Sequence, residues 1–230
     1  MKIGIFGDSF ADEWNMFRTD NMSWANQLRN LGYDVTNYGK CASSLYYSYR
    51  QLLEHHCKYD KVIFLITGAG RLYLDHLPEK LQHIAHGRVA FLKNETHGKN
   101  IEIINALEGY YNYLHNYTHE STIHNLLLKE CKQIRPDALF IPCFPEHAEN
   151  GFNLMMLSDY ESEQFKNKHD LTNFRIIDRR FCHMNDNNNL LIAQKIKKWI
   201  DGEDFCVNES EFVPSTLPIE EILKLEAINI

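Results

Sequence analysis

The sequence predicts an α/β fold: a three-layer α/β/α sandwich around a five-stranded parallel sheet of strand order 2-1-3-4-5. Three observations predict it. Strand-like apolar runs alternate with amphipathic helical stretches along the 230 residues, the pattern of a parallel sheet covered on both faces. One of those runs, "KVIFLIT" at 61–67, is almost unbroken in its apolar character, which suits a strand buried on both sides. Right-handed crossovers then favour the doubly wound, flavodoxin-like order.

The first strand is "KIGIF" at 2–6, stopped by Gly7-Asp8-Ser9, residues suited to a turn and a helix start. A helix follows around "SWANQLRNLG" at 23–32, with Gly32 as its stop signal. The second strand is "YDVTNYG" at 33–39, and "SLYYSYRQLLEHH" at 44–56 reads as the next helix. Beyond the third strand, residues 72–103 form a polar, partly helical insertion on the binding side of the sheet. One long amphipathic helix is then expected over 103–134, a fourth strand in "DALFIPCF" at 137–144 and a fifth in "FRIID" at 174–178. The last core helix is "NNLLIAQKIKKWI" at 188–200, with Leu190, Leu191, Ala193, Ile196 and Ile200 near helical spacing. Asn185 or Asp186 is suited to cap it. Residues 1–200 thus form one domain. Residues 201–230 form a tail in which Pro214 and Pro218 precede a short amphipathic helix, "IEEILKLEAI". Such a piece packs back on its domain or docks on a partner.

Composition narrows the function classes. A net charge of −7, with no Lys/Arg block, argues against a nucleic-acid partner. No apolar run reaches the length of a membrane span, so no membrane partner is expected. Met1-Lys2 leads straight into a strand with no cleavage-site pattern. The six cysteines (Cys41, Cys57, Cys131, Cys143, Cys182 and Cys206) include no CxxC pair and read as buried free thiols. A reducing, cytoplasmic setting follows as the expectation. "HNYTH" places His115 and His119 four apart, a ligand-compatible spacing, but without an intervening glutamate or a third ligand nearby. A metal is therefore not expected.

In a doubly wound sheet, ligands bind beyond the carboxyl ends of the strands. "GDSF", "YGKCASS", "TGAGR" and "CFPEH" all follow strands and fall at that edge. So does the loop before the last helix, "IIDRRFCHMNDNNN", with Asp178 at the strand end and His183 in the loop. Ser9 after the first strand and His183 before the last helix therefore converge. A serine needs a neighbouring base to lose its proton, and imidazole is the base suited to neutral pH. A carboxylate commonly orients such an imidazole.

Gly7-Asp8-Ser9 in "IGIFGDSFADE", together with "CHMNDNNNLLIAQKI", resembles the SGNH (GDSL-type) hydrolase family over residues 1–200. That resemblance implies a flavodoxin-like, cofactor-free serine hydrolase acting on esters, often acyl groups on carbohydrates or lipids. It makes Ser9 the nucleophile, His183 the general base and Asp178 the candidate acid. It also implies an oxyanion hole built from the Ser9 amide, Gly39 and an asparagine after the third strand. Where the family shows Gly-x-Asn-Asp, this chain reads "TGAGRLYL", and Ala69 takes the asparagine position. Arg71, or the backbone amides at 68–70, would have to supply the missing donor. The acid departs too: Arg180 stands three before His183, and Asp178 stands five before it. Asp8 is expected to accept loop amides and shape the turn. With Glu146 and His147 it is also a candidate for substrate contact. The expected substrate is a small ester or an O-acylated carbohydrate. Two other readings stay open: a catalytically impaired relative that binds a glycan or partner protein, and a flavin or nucleotide binder using "GDSFADE" or "TGAGR".

Overall fold

Strand alternation sends odd and even side chains to opposite faces of a sheet, and here both faces are apolar. The computed structural model describes residues 1–11, 23–95, 100–148, 152–155, 184 and 186–212. Four parallel strands, β1 (Lys2–Phe6), β2 (Asp34–Asn37), β3 (Lys61–Ile66) and β6 (Leu139–Pro142), lie in the order β2-β1-β3-β6. Register pairs Ile3 with Val35, Ile5 with Ile63, and Ile63 with Leu139. The fifth strand expected at 174–178 lies outside the described residues.

Ile3, Ile5, Ile63, Leu65 and Ile141 face one helical layer. It consists of α1 (Trp24–Asn30) and α6 (Asp186–Ile200), which bring Trp24, Leu28, Ile192, Ala193 and Ile196 into that core. Phe6, Val62, Phe64 and Ile66 face the other layer, formed by α2 (Leu45–His55) and α5 (Tyr117–Ile134). Gly4 points the same way, and a Cβ there would sit 2.4 Å from the Tyr59 ring. The described part of the tail packs back: Val207 and Phe212 belong to the α1/α6 core.

The insertion has a core of its own. A two-stranded antiparallel ribbon, β4 (Leu72–Tyr73) with β5 (His83–Ile84), precedes α3 (His86–Glu95) and α4 (Asn100–Gly109). Leu81, Ile84, Val89, Leu92, Ile104, Leu107 and Tyr111 form a separate apolar cluster, so this unit runs past residue 103. The single helix expected over 103–134 is accordingly broken. A π-helical turn spans Tyr110–Leu114, and His115 leaves the helix at φ −63°, ψ 125°. The Asn116 side chain then accepts the His119 N–H at 3.1 Å and starts α5 afresh. A side chain that caps well competes with helix continuation. Among the described residues no helix is long and apolar enough to cross a membrane. Of the five described cysteines only Cys131 and Cys143 are buried; Cys41, Cys57 and Cys206 are exposed, which corrects the expectation for those three.

Candidate active site

Because β1, β2, β3 and β6 are parallel, the segments that follow them share one edge of the sheet. Asp8, on the β1 turn, is the hub of that edge. Its carboxylate is completely buried. Oδ1 accepts the Phe10 N–H at 3.1 Å and faces the Cys143 thiol at 3.4 Å. Oδ2 accepts from the Thr67 hydroxyl at 2.8 Å and from Arg71 Nη1 at 2.9 Å. Three strand-end segments thus meet on one carboxylate. Asp8 is enclosed by protein donors and does not present itself to a substrate. Burial, with the Asp8 charge next, pushes the Cys143 thiol well up, so it stays protonated and donates.

Ser9 follows at the tip of the turn, half-buried, and its hydroxyl makes no hydrogen bond among the described residues. The turn is closed by Ala11 N–H to Asp8 O at 3.0 Å. The Ser43 hydroxyl donates to Gly7 O at 2.9 Å, tying the β2 segment to it. Gly39 packs under the same turn: a Cβ there would stand 2.5 Å from Ala11 Cβ. Its N–H donates to Asn37 Oδ1 at 2.8 Å, and Asn37 Nδ2 donates to Ala11 O. An oxyanion at Gly39 would have to compete with that side-chain carbonyl.

Residues 67–71 form a strap over the β3 end. Arg71 Nη1 is drawn to Asp8 and lies 3.4 Å from Ser43 O, with the guanidinium 4.8 Å above the Phe144 ring. This arginine is first a partner for a buried carboxylate. Gly70 takes the left-handed conformation, φ +76°, that favours glycine, and Ala69 beside it is half-buried. Glu146 is exposed and its Oε1 stands 3.2 Å from where a Gly68 Cβ would lie. His147 stacks on His124 of α5, with ring centroids 4.3 Å apart. Burial lowers both imidazole pKa values.

His183 and Asp178 lie outside the described residues, but the residue after His183 does not. Met184 is fully buried, and its carbonyl accepts Asn189 Nδ2 at 2.9 Å. Asn189 Oδ1 accepts the Trp24 N–H at 3.0 Å, and Trp24 Nε1 donates to Phe10 O at 2.7 Å. A buried bridge therefore joins the neighbour of Ser9 to the neighbour of His183. The sequence alone assigns no site role to Thr67, Cys143, Trp24 or Asn189. Each is tied to the site by polar contacts to residues distant along the chain, which leave no periodic signal.

No protein-family model matches the chain, and no curated protein matches it. Among solved structures it is similar to an acetyl xylan esterase, AlAXEase, with 11% identity and a TM-score of 0.35 over 88% of this chain and 100% of the other. It is similar to a putative lipolytic protein of the G-D-S-L family from Desulfitobacterium hafniense DCB-2, with 11% identity and a TM-score of 0.36 over 86% and 98%. A lipase/acylhydrolase from Enterococcus faecalis shows 14% identity and a TM-score of 0.34 over 90% and 99%. With identities this low, function has to be argued from the chain's own residues.

Proposed function

We propose that this chain is a serine ester hydrolase of SGNH type, removing an acyl group, acetyl included, from a small ester or an O-acylated carbohydrate. Ser9 Oγ attacks the ester carbonyl while His183 takes its proton and delivers it to the leaving alcohol. Water then attacks the acyl-enzyme, with His183 again as base, and the free acid leaves. Asp178 is the candidate to orient the imidazole. The oxyanion donors are the Ser9 amide, the Gly39 amide once released from Asn37, and the backbone at Ala69, with the remaining N–H groups of Arg71 at the same edge. The chemistry calls for no metal or organic cofactor.

The observation that supports this reading is the buried bridge Phe10–Trp24–Asn189–Met184. It ties together the two chain segments that carry the serine and the histidine. Turnover of p-nitrophenyl acetate by the wild type, Ser9→Ala and His183→Ala tests it. The expected result is hydrolysis in the wild type and loss in both variants. Equal background rates in all three would reject the hydrolase. They would favour a fold kept for binding a glycan or partner protein, the reading that Ala69 and the occupied Gly39 amide also suit.

A further inference from the structure

Two buried polar side chains outside the sheet end on the 67–71 strap. The Tyr111 hydroxyl, on the π-turn of the insertion, lies 3.0 Å from Gly70 O and 3.2 Å from Ile84 O. His124 of α5 is 4% exposed, and its Nε2 lies 2.7 Å from Thr67 O. A carbonyl only accepts, so Nε2 carries the proton and Nε2–H donates. The same Thr67 donates its hydroxyl to Asp8, one residue before Ser9. Gly70 has its missing side-chain space filled by His115 Nε2, 2.7 Å from an added Cβ. The strap is therefore gripped at both ends, at Thr67 by α5 and at Gly70 by the insertion, with Ala69 between.

We infer that Tyr111 and His124 are positioning residues that hold the 67–71 strap against the Ser9 turn. This rests on the hydrolase reading. In that reading the strap supplies backbone where an asparagine donor is missing, so its placement carries more of the oxyanion stabilisation than a side chain could correct. A phenylalanine at 111 and a leucine at 124 would fill the same space. What the hydroxyl and imidazole add is a fixed direction for two carbonyls, and hence for the peptide units between them. Burying such groups is favourable only with their hydrogen bonds made. Preorganised donors lose effect steeply when displaced.

The test is steady-state hydrolysis of p-nitrophenyl acetate by the wild type, Tyr111→Phe, His124→Leu, His124→Gln and Ser9→Ala. Tyr111→Phe and His124→Leu are expected to lower kcat roughly 10- to 100-fold. KM should stay within about twofold, the mark of an interaction lost only in the transition state. His124→Gln, whose amide still donates to Thr67 O, is expected to recover most of that loss, which general destabilisation would not produce. Tyr111→Phe removes one oxygen and keeps the ring, so it reads the grip even where His124→Leu does not fold. Ser9-dependent turnover with wild-type kcat in Tyr111→Phe and His124→Leu would overturn the positioning role and leave the hydrolase standing. A KM effect with unchanged kcat would do the same. No Ser9-dependent turnover in the wild type would overturn both.

Discussion

At the scale of single residues, the Asp8–Arg71 pair sets the terms for the whole edge. Asp8 is 0% exposed and the Arg71 side chain 14%, so the pair sits where water screens it little. Arg71→Leu strands a buried carboxylate and is expected to cost about 3–5 kcal/mol in denaturant unfolding. The Phe10, Thr67 and Cys143 donors that remain on Asp8 favour the low end of that range. Asp8→Asn combined with Arg71→Leu removes both charges and is expected to recover much of the loss. An additive double variant would show that the two residues stabilise the protein independently. Neither side of the pair was legible as a pair, because 63 positions separate them. Ser9, by contrast, stands out because it follows the apolar run of the first strand, and Gly39 is named only through the family resemblance.

Between elements, the clearest titratable contact joins α5 to the segment after β6. His124 and His147 stack nearly parallel, 12° apart, with Glu146 close by. Burial is the leading cause of both lowered values. For His124 the bond to Thr67 and the Glu146 charge oppose it, while His147 adds to it. Both imidazoles therefore take up protons less readily folded than unfolded. Stability is full above the ordinary histidine value of 6.5. It falls as pH drops through that value towards the lower folded values. Thermal melts between pH 8 and 5 are expected to show this decline, and His124→Gln with His147→Gln to flatten it. An unchanged slope in the double variant would assign the acid sensitivity to other groups. The elements themselves were largely legible: β1, β3 and β6 sit inside the runs that period and apolarity marked. The break at His115 was not, since helical periodicity continues across it and only the Asn116 cap reveals it.

For the whole molecule, the consequence of three separate apolar clusters is two levels of cooperativity. The clusters on the two sheet faces share β1 and β3, so they open together. The insertion's cluster shares no strand with them. Among the described residues its contacts to the sheet domain include Tyr111 to Gly70, Arg88 Nη1 to Cys41 O at 3.3 Å, Arg50 to Asp75 at 3.1 Å, the Tyr110 hydroxyl to Glu120 of α5 at 3.0 Å, and the Tyr47 ring against Tyr73 and His83. Its polar composition hid this core, because its apolar residues come from short pieces none of which is periodic over several turns. A unit tied to the sheet by side-chain contacts and not by a shared strand opens at lower free energy than the sheet itself. Ile104, fully buried in the small cluster, provides the probe. Ile104→Ala is expected to cost about 2–5 kcal/mol locally. Hydrogen exchange should show amides of 100–114 losing protection while those of β1 and β3 keep theirs. Ile63→Ala, in the shared sheet, should weaken protection in every element at once. Uniform loss in both variants would show one cooperative unit. In the two-level case Tyr111 belongs to the unit that opens first, so Ile104→Ala should also loosen Gly70 and slow ester turnover before the sheet domain loses any stability.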